Sequence, residues 1–138
     1  MIVHCTVKGE KELQAMVERT IVLVRREAKK YVLAEAQEII EESQQQVPVD
    51  TGALRDSAFI DQSDDGNITF GYGKDNVQTN SKTGELTDSY MLAVHERLDI
   101  THTRGNAKFL ENPINEHRER MEAKMANKWR RFFGMGGR

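Results

Sequence analysis

The stretch Val47-Pro48-Val49-Asp50-Thr51-Gly52-Ala53-Leu54-Arg55-Asp56-Ser57 divides the chain into a helical part and a strand-forming part. Pro48 supplies no N–H for a helical bond and pushes Val47 out of the helical region, so a helix arriving from the N-terminal side has to stop here. Asp50 and Thr51 are residues that bond their own backbone in tight turns, and Gly52 takes a positive φ at little cost. Pro48, Asp50, Thr51 and Gly52 are therefore read as a structural turn. Leu54, Ala58 and Ile60 then start an alternating apolar pattern.

Upstream of the turn, Leu13, Val17, Ile21, Val24, Ala28, Val32, Ala36, Ile39 and Ser43 recur at steps of three and four, which predicts a helix with one buried stripe. A continuous helix from Glu10 to Gln46 would be about 55 Å long, against ~30 Å for a compact domain of this size. Either it breaks or bends near Thr20-Ile21-Val22, where β-branching lowers helix propensity, or it projects and needs a partner for its stripe, which implies oligomerisation. The break or bend is the expectation. Before it, Ile2 to Val7 alternates loosely, as a short edge strand would.

Downstream, Leu54 to Gln62 and Asn67 to Gly73 read as two strands joined by Ser63-Asp64-Asp65-Gly66, since Asp-Gly between alternating runs signals a hairpin. Lys74 to Ser89 is polar and reads as a long mobile loop or the tip of an extended hairpin. Tyr90 to Val94 is a short apolar run, strand or helix, leading into His95 and Glu96, and Phe109 and Leu110 mark another buried point. The last helix has Asn112 as N-cap and Pro113 at the first position. Its stripe is Ile114, Met121, Met125, Trp129 and Phe132, and Gly134 ends it. The whole predicts an α+β fold: a long N-terminal helix, an antiparallel sheet with a hairpin, and a C-terminal helix, in one domain over 1–133 with a flexible tail at 134–138.

Charge narrows the function. The net charge of −2 hides an asymmetry: from Glu35 to Asn67 nine acidic residues face Arg55 alone, whereas from Arg104 to Arg138 nine basic residues face four Glu. Such polarity suits head-to-tail contact between copies, or two solvated faces of opposite sign. Nothing approaches the ~20 apolar residues of a membrane span, and the first residues lack the basic start and apolar run of a signal peptide. The single Cys5 excludes an intramolecular disulfide and suits a reducing compartment.

Three features invite chemistry. Asp50-Thr51-Gly52-Ala53 matches the signature of retroviral-type aspartic proteases, in which two Asp of a homodimer share a proton. That site sits at the end of an apolar strand in a nearly all-β chain, whereas here a long helix precedes it, so a turn is the reading and a dimeric protease using Asp50 the alternative. His95-Glu96 with His102 contains zinc-type ligands but lacks a ligand spacing, and His4 and His117 have no neighbouring ligand pattern, so no metal is expected, nor any cofactor. Lys128-Trp129-Arg130-Arg131-Phe132-Phe133 mixes basic and aromatic residues that could meet nucleic acid by charge and stacking. Because Trp129 and Phe132 continue the apolar stripe, docking onto protein is favoured there, with a small nucleic-acid-binding module as a further alternative.

Taken together, Val47 to Ser57, Tyr90 to Glu96, and Gly105-Asn106-Ala107-Lys108-Phe109-Leu110-Glu111-Asn112-Pro113 resemble, in order, the small neck proteins of long-tailed bacteriophages. Members are described as minor capsid, tail-component, tail-completion or head–tail joining proteins. The resemblance implies a non-enzymatic virion component, assembled in the host cytoplasm as a ring of six- or twelve-fold symmetry between portal and tail. It implies other neck, portal or tail proteins as partners, with encapsidated DNA passing through the lumen. On this resemblance Leu54 and Phe109 pack, and Arg55, His95 and Glu96 make interior or interface polar contacts. The Lys74–Ser89 loop is longer than the family implies, and it is expected to order on docking.

Overall fold

The computed structural model describes residues 8–99, 101 and 104–134. The expected edge strand at Ile2–Val7, His4, Cys5, His102 and the tail beyond Gly134 lie outside them. The chain divides into two compact units, Met1–Ala34 and Glu35–Arg138. The fold is α+β: helix α1 covers Glu10–Gln46, α2 Ala53–Asp56, β1 Ala58–Gln62, β2 Ile68–Tyr72, α3 Thr87–Glu96 and α4 Glu111–Phe132.

Helix α1 is uninterrupted, so the expected break near Thr20 is corrected. Within the continuous helix the Thr20 hydroxyl donates to the Met16 carbonyl one turn back, at 2.8 Å. The single buried stripe is corrected as well. In the first unit Leu13, Val17 and Ile21 are exposed, as are Met16, Val22 and Leu23. Burial begins at Glu35 and continues through Ala36, Ile39, Ile40 and Ser43.

In the second unit the sheet has two strands, antiparallel, with Ile60 opposite Phe70 and Ala58 opposite Tyr72. The strand expected from Leu54 starts four residues later. Gly52, at φ +89°, turns the chain, and Asp56 N–H donates to Gly52 O to close the helical turn α2. Ser57, fully buried, ends it by donating Oγ to Leu54 O at 2.7 Å. Leu54 thus reaches the core from a helix, and its apolar spacing to Ala58 only mimics a strand.

Residues 74–89 are not an open loop. A 3₁₀ turn at Lys74–Asn76 is followed by an antiparallel bridge between Thr79 and Leu86. Buried Asn80 organises the tip, its Oδ1 accepting from Lys82 N at 2.9 Å and Thr83 N at 3.3 Å. The segment is thus a small turn closed by a single bridge, neither an open loop nor the tip of an extended hairpin, and α3 begins inside it at Thr87. Helix α4 begins earlier than expected, with Leu110 rather than Asn112 at its cap. Pro113 lies inside the first turn, where its missing N–H is one of the helix's unpaired donors anyway.

The core is Val47, Leu54, Tyr72 and Phe109, with Val49, Ala58, Tyr90, Met91, Val94 and Leu110 packed against it. Tyr72 reaches from it to Ser43 of α1, the two hydroxyls 2.8 Å apart. Burial raises the Tyr72 phenol above its ordinary pKa, and the Ser43 bond offsets part of that.

Candidate functional site

Phe109 is the point where three distant segments meet. Its ring takes Tyr72 edge-on at 5.3 Å between centroids and His95 edge-on at 4.9 Å, the geometry that places a positive ring edge against a negative face. The chain reaches this position through a close approach: Asn106 N–H donates to Gln46 O at 2.7 Å, and Lys108 N–H donates to His95 O at 2.7 Å. Gly105, at φ +91°, lies so near the Pro48 backbone that an added Cβ would come within 2.5 Å of Pro48 N. The helix stop at Pro48, the end of α3 and the lead-in to α4 are thereby interlocked. These are the 47–57, 90–96 and 105–113 segments singled out in the sequence.

Around this core the polar groups form a ring of pairs. His95 Nε2 accepts from Glu111 N–H at 3.4 Å, which leaves Nδ1 to donate to Glu96 Oε1 at 2.8 Å. Lys108 Nζ pairs with Glu96 and, at 2.9 Å, with Glu111. The Lys108 ammonium first, and the His95 hydrogen bond next, hold the Glu96 carboxyl below the usual carboxylate range. Leu54 is in the core as expected. Arg55 is not an interior contact: its side chain is exposed beside Asp56, and its carbonyl accepts from Gln44 Nε2 at 3.1 Å.

Asp50 is an exposed carboxylate at the turn, ion-paired with Lys82. Thr51 Oγ1 faces Ala53 N–H at 3.4 Å, an ordinary turn contact. With Pro48, Gly52, Asn80, Tyr90 and Arg104 these residues line an open cleft of about 680 Å³. A cationic partner and open solvent are the opposite of what two carboxylates packed together to share a proton need.

Two apolar features lie at the surface of the second unit. A cleft of about 310 Å³ beside Phe109 is lined by Phe59, Phe70, Tyr72, Met91, Leu92 and Leu110 among others. At the end of α4, Trp129, Phe132 and Phe133 stack on one another with centroids 5.1–6.1 Å apart, Phe132 and Phe133 being exposed. Arg130 and Arg131 flank them, also exposed.

The structure adds one cluster that sequence spacing had not suggested. His117 of α4 is buried against Glu35 and Glu42 of α1, and Lys124 reaches Glu35 and Glu38. The signal was present only in halves: Glu35, Glu38 and Glu42 share one helical face, and so do His117 and Lys124. Nothing local says that the two faces meet. The acidic and basic segments of the chain thus meet in part within one copy, an outcome distinct from both contact between copies and two solvated faces.

Among the described residues no helix is long and apolar enough to cross a membrane. No protein-family model, no curated protein and no solved structure matches the chain.

Proposed function

We infer that this chain is a structural subunit of the neck of a long-tailed bacteriophage, forming a ring between portal and tail proteins in the virion. The observation that carries the reading is the interlock at Phe109. The three sequence blocks that resemble the neck family are the three segments that meet there, and their packing into one unit supports reading them together.

Ring formation is supported by two unlike apolar surfaces on the same unit. The exposed Phe132 and Phe133 form a projecting aromatic group, and the cleft beside Phe109 is a concave apolar one. A patch that fits a different patch on the next copy makes a head-to-tail contact, which closes into a ring when the rotation allows. The exposed Leu13, Val17 and Ile21 of α1 add a further face for neighbouring subunits. Assembly is then the protein's work, and Asp50 serves as a turn residue. Electron microscopy of the purified chain at high concentration tests this. Closed rings with an open centre are expected, and they are lost in the Phe132→Ser/Phe133→Ser variant and in Leu92→Arg at the cleft rim. Compact two-fold dimers that keep their form in both variants would refute it.

A further inference from the structure

His117 is 1% exposed and lies between two carboxylates. Its Nδ1 is 2.9 Å from Glu35 Oε2 and its Nε2 is 3.2 Å from Glu42 Oε1. The second contact is not aligned as a hydrogen bond, and Nε2 has no hydrogen-bond partner among the described residues. Glu35 is itself buried and has Lys124 Nζ at 3.0 Å from Oε1, while the same ammonium is 3.4 Å from Glu38 Oε2. One oxygen of Glu35, one of Glu38 and one nitrogen of His117 lie within 4.8 Å of one another.

A neutral imidazole carries one N–H and one lone pair. With a carboxylate at each nitrogen, it satisfies one and sets its lone pair against the other's oxygen. If the hydrogen is on Nε2, facing Glu42, then Nδ1 and Glu35 Oε2 are two acceptors 2.9 Å apart. In that tautomer a cation between the two acceptors relieves the clash; in the other, Nδ1–H donates to Glu35 Oε2 and the Nε2 lone pair faces Glu42 Oε1 at 3.2 Å.

The geometry points to a divalent transition-metal site of the zinc type, with Glu35, Glu38 and His117 Nδ1 as ligands and Glu42 Oε1 placed 3.2 Å from the far nitrogen, where a small rotation aligns it. Ligands at ~2.0–2.1 Å from a tetrahedral zinc stand about 3.3 Å apart, so small side-chain shifts bring these three atoms onto one ion. A carboxylate on the non-ligating ring nitrogen is the usual device for fixing a metal-bound histidine in one tautomer and orientation. Lys124 already marks the focus of negative charge. Its ammonium rides on a flexible, part-exposed stem and withdraws to water when the ion enters. Two carboxylates and one imidazole leave a fourth position for water. The ion would clamp α4 to the Glu35–Glu42 segment of α1, joining elements that are far apart in sequence.

The test is calorimetric titration of zinc chloride into the full chain, freed of metal by a chelator, at neutral pH. Magnesium serves as the contrast, because it prefers an all-oxygen octahedral shell. One saturable zinc per chain is expected, with no magnesium binding and a higher melting temperature in zinc. Glu38→Gln, at an exposed position, abolishes saturable binding. Glu42→Gln weakens it by about 10–100-fold, and Lys124→Ala tightens it, because the competing ammonium is gone. Absence of saturable zinc in both the wild type and Lys124→Ala overturns the proposal. Stoichiometric zinc that survives Glu38→Gln overturns it too, since the ion would then sit elsewhere, as at Cys5 or the other histidines.

Discussion

The two stretches of α1 carry the same pattern and meet opposite fates. Leu13, Val17 and Ile21 recur at steps of four, and Ala36, Ile39 and Ser43 at steps of three and four along the same kind of helical face, yet Leu13 is 57% exposed and Ser43 is fully buried. The later stretch is covered by residues of its own unit: Tyr72 reaches Ser43, and His117 reaches Glu35. Periodicity therefore reports that a helix has an apolar face, and burial reports whether the chain itself supplies a cover. Where it does, the residues are part of folding. Where it does not, they stay exposed.

That contrast can be broken most forcefully at Phe109. Phe109→Ala removes the ring on which Tyr72 and His95 pack, and should cost ~3–5 kcal/mol in urea unfolding. A loss under 1 kcal/mol would mean the interlock is not the core. Gly105→Ala comes next, at about 1–3 kcal/mol, because the new Cβ meets the Pro48 backbone and the positive φ is strained. Ser43→Ala should cost roughly 1–2 kcal/mol by leaving the buried Tyr72 hydroxyl without its partner. Val17→Ala, on the exposed stretch, should change unfolding of the dilute chain by less than ~0.5 kcal/mol, and a core-sized loss there would erase the distinction between the two stretches.

The smallest effect concerns pH. Glu96 has its folded pKa depressed by Lys108 and His95, so its contribution is present above the ordinary carboxylate value. It is lost as pH falls through the depressed folded value. The wild type should therefore be favoured over Lys108→Met at neutral pH, and the gap should close in acid. A gap that widens in acid would reverse the assignment.

How much of this was legible depended on whether the cause was local. Pro48 and Gly52 act on their own backbone, so the turn could be read directly, and Asp65-Gly66 fixed the hairpin in the same way. Helix α2 escaped notice because Leu54, Ala58 and Ile60 alternate as a strand would, while the deciding bond, Ser57 Oγ to Leu54 O, is invisible in a pattern of polarity. The start of α4 was displaced because Pro113 is tolerated throughout the first turn and not only at its first position. Leu54 and Phe109 were identifiable as packing residues, but that Gly105 must lie against Pro48 was not. The Glu35–His117 contact joins residues 82 apart, and charge patterning along each helix could name the faces without pairing them.

The central claim is that this chain carries, on its own surfaces, the contacts of a ring. Solution mass by light scattering over a wide range of concentrations tests it most directly. A ring-forming chain rises to one defined oligomer of at least six copies, which Val17→Asp and Phe132→Ser/Phe133→Ser each reduce toward the monomer. A tight dimer whose mass is independent of concentration, or a monomer throughout, would contradict it.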